Sequence, residues 1–203
     1  AKAGVKTLVH VSALGIEATK TTRYGATKLA GESAVRDAFP AATFLRPSLV
    51  IGPEDGFFQR FGRMRLISPI LPLIAGGKTK FQPVLVTDLA KAITAAIRSD
   101  EAKGKTYEIA GPSIYSMREL LEMMGRITKR KSRFVSMPAC VASVQGFVCE
   151  QLPFTPMITR DQVRLLAYDN VLNKGALALH DLGIAASPIE GMLPAYLRRF
   201  EPV

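Results

Sequence analysis

The chain has 203 residues, of which 48% are hydrophobic and 22% charged, a balance that excludes a mostly disordered chain. No uninterrupted apolar run reaches the roughly 18 residues of a membrane-spanning helix. The formal net charge of +10 favours anionic partners such as nucleotide phosphates, acidic headgroups or an acidic protein surface. Zinc-finger spacing and an RNP-type aromatic motif are both missing, which argues against nucleic acid.

The first residues, 1–4, carry no Met and no signal peptide and lead straight into a strand, so the chain reads as starting inside a domain. Val5 to Ser12 is a β-branched apolar run, expected of a buried central parallel strand. A loop from Leu14 to Thr22 precedes a helix from Arg23 to Phe39, with Leu29, Ala30, Ala34 and Ala38 predicted as its inner face and Pro40 ending it. Ala42 to Arg46, closed by Pro47, is a second buried strand, and the strand–helix–strand order predicts a βαβ unit. Leu49 to Lys80 reads as irregular. Within it, Leu66 to Gly77 is strongly apolar, and Pro69 and Pro72 argue against one continuous helix. That stretch suits a lid, a subunit interface or a membrane-facing patch.

Val84 to Val86 predicts a short strand, Thr87 a cap for a helix over Asp88 to Arg98, and Lys105 to Ala110 another strand. Ser116 with Glu119 predicts a capping box opening a helix to Thr128, followed by a strand over Arg133 to Met137. A helix is expected over Ala139 to Leu152. Thr159 with Gln162 opens another to Ala167, and Ser187, Pro188 and Glu190 open a last one through Arg199. The fold class is α/β: a Rossmann-type parallel sheet up to residue 110, then a mostly helical subdomain over 111–203. Cys140 and Cys149 are nine apart and fall on opposite faces of one helix, so neither a disulfide nor a metal site is expected. The basic run from Arg126 to Arg133 reads as a solvated helix end, His10 as a satisfied core histidine, His180 as a surface group, and Met117, Met123 and Met124 as core filling.

Tyr24 and Lys28 carry the most chemistry. Residues i and i+4 share a helix face, and an ammonium beside a phenol lowers its pKa, so Tyr24 could serve as general base or acid. Ser12 ends the preceding strand, where a parallel sheet places its ligand crevice, and its hydroxyl could bind a substrate oxygen.

In this context YGATKLAGE (24–32), RPSLVIGP (46–53) and PVLVTDLA (83–90) resemble the extended and atypical short-chain dehydrogenase/reductases. VRDAFP (35–40), QPVLVTDLAKAI (82–93), GPSIYS (111–116), ITRDQVRLLAYDNV (158–171) and DLGI (181–184) bring the chain nearest to the nicotinamide-binding accessory subunits of respiratory complex I, of the subunit-9 type of its alpha subcomplex, and their bacterial relatives. The resemblance implies a Rossmann domain with a small substrate-like subdomain, and NADP or NAD as cofactor. It places Tyr24 and Lys28 at the nicotinamide ribose and the backbone of Pro47, Ser48, Leu49 and Val50 at the carboxamide. No GxxGxxG occurs in these residues, so only the nicotinamide half of such a site is expected. The short Ser12-to-Tyr24 loop puts a substrate role for Ser12 in doubt and fits a structural nucleotide.

The partners so implied are complex I subunits or quinone-biosynthesis proteins, with peripheral membrane contact. The setting is a bacterial cytoplasm or inner-membrane periphery, or the matrix side of the mitochondrial inner membrane. The alternative is an active NAD(P)-dependent reductase or epimerase.

Overall fold

A computed structural model describes residues 4–138, 141 and 159–202. Apart from Val141, the helix expected over Ala139 to Leu152, with Cys140 and Cys149, lies outside the described residues. In chain order the elements begin β1 (Val9–Val11), α1 (Arg23–Ala38), β2 (Thr43–Pro47), β3 (Val50–Ile51), α2 (Gly56–Ile67), β4 (Ile70–Ile74), β5 (Lys80–Phe81), β6 (Val84–Leu85) and α3 (Val86–Arg98). They continue with β7 (Thr106–Ile109), β8 (Tyr115–Ser116), α4 (Met117–Ile127), β9 (Arg133–Met137), α5 (Arg160–Leu165) and α6 (Leu193–Leu197). Two compact units interleave along the sequence, whereas the sequence reading cut once after residue 110: residues 1–52, 82–114 and 170–189 form one, and 53–81, 115–169 and 190–203 the other.

The first unit is built on a parallel sheet in the order β1-β2-β7, with Leu45 facing Val11 on one side and Tyr107 on the other. β3 and β6 form a second parallel pair. Parallel neighbours need crossovers, and α1 and α3 supply them, in agreement with the predicted βαβ unit. The alanine-rich face of α3 brings Ala92 and Ala96 against Leu45, Val84 and Ile109, and Leu179 from the returning chain closes the same core. β1 is shorter than the run from Val5 to Ser12, and only half-buried, because among the described residues it is paired on one side alone. α1 starts where expected, with the Thr22 hydroxyl accepting from the Gly25 N–H at 3.0 Å. Its inner face differs from the prediction: Ala30, Ala34 and Ala38 are exposed, and the buried positions are Gly25 and Glu32. The alanine pattern misled because the anchor on this helix is an ion pair rather than apolar contact.

The second unit corrects the irregular stretch. Asp55 caps α2 by accepting from the Phe58 N–H at 2.5 Å, and Phe58, Phe61, Gly62 and Arg65 recur at helical spacing on its buried face. Beyond it, Pro69 and Pro72 do break the helix, and β4 follows, parallel to β9 with Ile74 opposite Met137. Both capping boxes at Ser116 and Thr159 form as predicted. Met117, Met123 and Met124 of α4 are buried in the core. The last helix breaks into 3-10 and α segments. Ser187 does not cap it, because its N–H donates to Asp88 at 2.7 Å and its hydroxyl at 3.3 Å, inside the first unit. The basic run is more than a solvated helix end: Lys129 pairs with Glu201 at 3.0 Å and Arg130 donates to the Phe200 carbonyl at 2.7 Å.

Candidate functional site

The parallel register sets the C-terminal ends of β1 and β2 side by side. The Ser12 N–H donates to the Leu45 carbonyl at 2.8 Å and the Leu14 N–H to the Pro47 carbonyl at 2.9 Å. The loop beyond Leu14 then folds back on itself. The Thr19 N–H donates to the Gly15 carbonyl at 3.1 Å and the Thr22 hydroxyl to the Thr19 carbonyl at 2.7 Å, which hands the chain to the first turn of α1. Gly25 is required at that turn, since a Cβ there would lie 2.3 Å from the Thr19 carbonyl oxygen.

Tyr24, Lys28 and Glu32 recur every four residues along one stripe of α1. Glu32 is the fixed end of that stripe. Arg46 on β2 donates to its two carboxylate oxygens at 2.9 and 2.8 Å, a bidentate grip, and reaches Glu17 with its remaining nitrogen at 2.9 Å. Arg36 stands 3.8 Å from Glu32 and stacks over the Phe44 ring at 3.9 Å. Burial pushes the Glu32 carboxyl up, but Arg46, the neighbouring Ser12 hydroxyl and the Arg36 charge together hold it below its ordinary value. The Ser12 hydroxyl faces that carboxylate closely enough to favour its charge, yet makes no well-formed hydrogen bond among the described residues. The sequence motif contained both Glu32 and Arg46, and only the fold brings them together.

At the open end of the stripe, Tyr24 remains 43% exposed and Lys28 is half-buried. Partial burial raises the Tyr24 phenol above its usual value, which corrects the expectation that Lys28 lowers it. A phenol so raised is protonated near neutrality and can donate a hydrogen bond. His10 is not a satisfied core histidine either: it meets Phe44 edge-on at 5.7 Å, and its buried Nε2 has no partner among the described residues.

The segment after β2 is held by a residue that the sequence reading gave no role. Asn170, on the returning chain, accepts from the Ser48 hydroxyl at 2.5 Å through its Oδ1 and donates to the Leu14 carbonyl at 3.1 Å through its Nδ2. Its carbonyl accepts from the Gln82 N–H at 2.9 Å. Three residues on, Asn173 binds the buried Glu108 carboxylate through its N–H at 2.8 Å and its Nδ2 at 2.6 Å. The Ser48 N–H donates to Ile109 and the Leu49 carbonyl accepts from Val84, each at 2.9 Å. With the Pro47 carbonyl also engaged, much of the Pro47–Val50 backbone is committed to the protein itself. No cluster of three metal-ligating side chains occurs among the described residues. Asp88, buried at the start of α3, is engaged by Ser187 and by Lys91 at 2.8 Å, a structural role.

The model of the NAD dependent epimerase/dehydratase family matches residues 6–110. Over 206 aligned residues the chain is 34% identical to the mitochondrial NADH dehydrogenase (ubiquinone) 1 alpha subcomplex subunit 9 of Arabidopsis thaliana, covering 97% of this chain and 51% of that protein. The chain thus spans about half the length of the curated relatives it matches. Among solved structures, MoeE5 in complex with UDP-glucose and NAD superposes with a TM-score of 0.70 at 18% identity, over 98% of this chain and 66% of that one. The NADPH-dependent quinone oxidoreductase QOR2 of Escherichia coli, complexed with NADPH, gives 0.71 at 15% identity, over 97% and 66%. These two likenesses establish a shared Rossmann-like α/β fold. With its family model matched from Lys6 through Ala110, across β1, β2 and β7, the chain belongs to the NAD dependent epimerase/dehydratase family.

Proposed function

We propose that this chain is the nicotinamide-side portion of an NAD(P)-binding accessory protein of respiratory complex I, in which the nucleotide chiefly holds the fold. One observation carries the reading: the 34% identity to a complex I subunit extends over 97% of the chain and so takes in the returning segment that locks Ser48 and Leu14 in place. A nicotinamide ribose fits the open end of the α1 stripe, where Tyr24 and Lys28 offer an O–H and an ammonium. The carboxamide would meet the Ser48 carbonyl and the Leu49 N–H, the groups left between the committed ones. The bound nucleotide would supply hydride chemistry, and this chain's residues would orient it and donate hydrogen bonds. Tyr24, kept protonated, suits that binding role. The +10 charge and the exposed Leu66, Ile67 and Ile70 support docking on an acidic or membrane-proximal surface, on complex I itself or on quinone-biosynthesis proteins. The setting is the matrix side of the mitochondrial inner membrane or its bacterial equivalent.

A second reading, an active reductase or epimerase, is favoured by one observation: Ser12, Tyr24 and Lys28 are all present, and the buried Ser12 hydroxyl lacks a well-formed bond among the described residues. The test is to extract the full-length protein from native membranes in mild detergent and titrate it with NADPH and NADH. Co-migration with complex I and saturable nucleotide binding are expected. A freely soluble protein that rapidly oxidises NADPH with a small carbonyl or sugar-nucleotide substrate would overturn the accessory reading in favour of the enzyme.

A further inference from the structure

In the second unit, α2 is a ridge between two concave surfaces of opposite character. On one side lies a slot of about 220 Å³ whose walls are almost wholly apolar, formed by Phe57, Phe61, Ile74, Phe81, Met117 and Leu165. On the other side lies an open groove lined by Arg60, Arg63 and Arg199. Gly56, Arg60 and Met64, spaced four residues apart on α2, belong to both. Arg60 stands at the slot's rim, where it donates to the Gln162 side chain of α5 at 3.1 Å. Two carboxylates also line the groove. Asp55 is occupied, accepting from the Phe58 N–H at 2.5 Å and from the Tyr196 hydroxyl, and Glu54 is exposed. Three guanidinium groups against two carboxylates leave the groove positive. At the far end of the ridge Leu66 and Ile67 are 54% and 86% exposed.

The geometry points to a seat for one anionic phospholipid: an acyl chain in the slot, its phosphate against Arg60 and Arg63, with Leu66 and Ile67 turned to the surrounding bilayer. A dry apolar cavity of about 150 Å³ already admits a benzene-sized group, so this slot takes the end of an alkyl chain. A neutral isoprenoid would make no use of the groove's positive charge, and a nucleotide base would bring polar edges against walls that are almost wholly apolar. Guanidinium groups bind phosphate with charge-assisted bonds, which fixes the sign of the head. The seat does not depend on nucleotide binding.

The full-length protein should be titrated by calorimetry with dihexanoyl-phosphatidylglycerol below its micelle concentration, then with the phosphatidylcholine analogue, inorganic phosphate and geraniol. One phosphatidylglycerol per chain is expected, with phosphatidylcholine at least about tenfold weaker and neither phosphate nor geraniol competing. Gly56 has open space where a Cβ would stand, so Gly56→Leu should fold normally while obstructing the slot mouth. Both it and Arg63→Glu should weaken phosphatidylglycerol about tenfold or more with unchanged thermal melts. Equal affinity for the two lipids, wild-type affinity in Gly56→Leu, or displacement by geraniol or phosphate alone would overturn the assignment.

Discussion

Arg46 grips Glu32 through two parallel hydrogen bonds, and this one pair ties the third turn of α1 to the end of β2. Both side chains are largely withdrawn from water, so the pair is strong only while whole. Removing one partner of a buried pair costs about 3–5 kcal/mol. Glu32→Gln should fall toward the lower end, because Glu17 remains on Arg46. Urea denaturation of wild type and variant measures the difference. A loss under about 0.5 kcal/mol, the scale of ordinary surface substitutions, would show that the pair does not hold the helix.

The same carboxylate sets an acid limb. Its folded value lies below the ordinary one, so its stabilisation is present above the unfolded value of about 4.3 and is lost as pH falls through the depressed folded value. Asp88, whose burial is outweighed by Lys91 and Ser187, titrates with the same sign. Stability measured from pH 7 down to pH 3 should decline in the wild type, and decline less steeply in Glu32→Gln. Parallel curves would contradict the assignment to Glu32.

Gly25→Ala forces a methyl carbon to within 2.3 Å of the Thr19 carbonyl, a backbone atom that can yield only by moving the loop or the helix start. Overpacking of that kind costs about 1–3 kcal/mol. Because Tyr24 and Lys28 ride on the same turn, nucleotide binding should weaken together with the melting temperature. Gly31, with open space around it, is the control: Gly31→Ala should leave both unchanged or raise stability slightly.

Asn170→Ala removes one side chain that bonds both Ser48 and Leu14, two strand ends apart in sequence but adjacent in the sheet. Leaving partners unsatisfied costs about 1–3 kcal/mol. Thermal melts should fall accordingly. Hydrogen exchange should speed up at Gln82, whose N–H bonds the Asn170 carbonyl, and in the loop after Ser48. Unchanged exchange there would remove the bracing role.

The parallel sheet, its crossover helices and two capping boxes were legible because their signals are local: β-branched runs, a proline stop, and Ser116 and Thr159 each followed three residues later by Glu or Gln. α2 was legible too, in Asp55 and the spacing of Phe58, Phe61 and Arg65, but the prolines beyond it drew attention to the whole stretch as loop. The inner face of α1 was not legible, since a buried Glu32 is indistinguishable from a solvated one until Arg46 is known to lie beneath it. Nor could Asn170 be found by periodicity: its partners lie more than 120 residues away in the chain. The raised Tyr24 phenol follows from burial, which spacing alone does not reveal.

The nucleotide itself separates Lys28 from Ser12. Lys28 lies one turn beyond Tyr24 on the stripe that Glu32 anchors, so its ammonium can donate to ribose hydroxyls without reordering the helix. Ser12 is buried, and its hydroxyl lies close enough to the Glu32 carboxylate to favour its charge. Lys28→Ala in the full-length protein should therefore weaken NADPH or NADH by about 1.5–3 kcal/mol, roughly ten- to more than a hundredfold, while Ser12→Ala binds as the wild type does. Tyr24 stays protonated well past neutrality, because partial burial raises it above an ordinary value of about 10, so its share of the affinity should be flat from about pH 6 to pH 9. Calorimetry on Tyr24→Phe and wild type across that range isolates this share. Wild-type affinity in Lys28→Ala would detach the stripe from the nucleotide, and a Tyr24-dependent step near neutral pH would return the phenol to the role of a base.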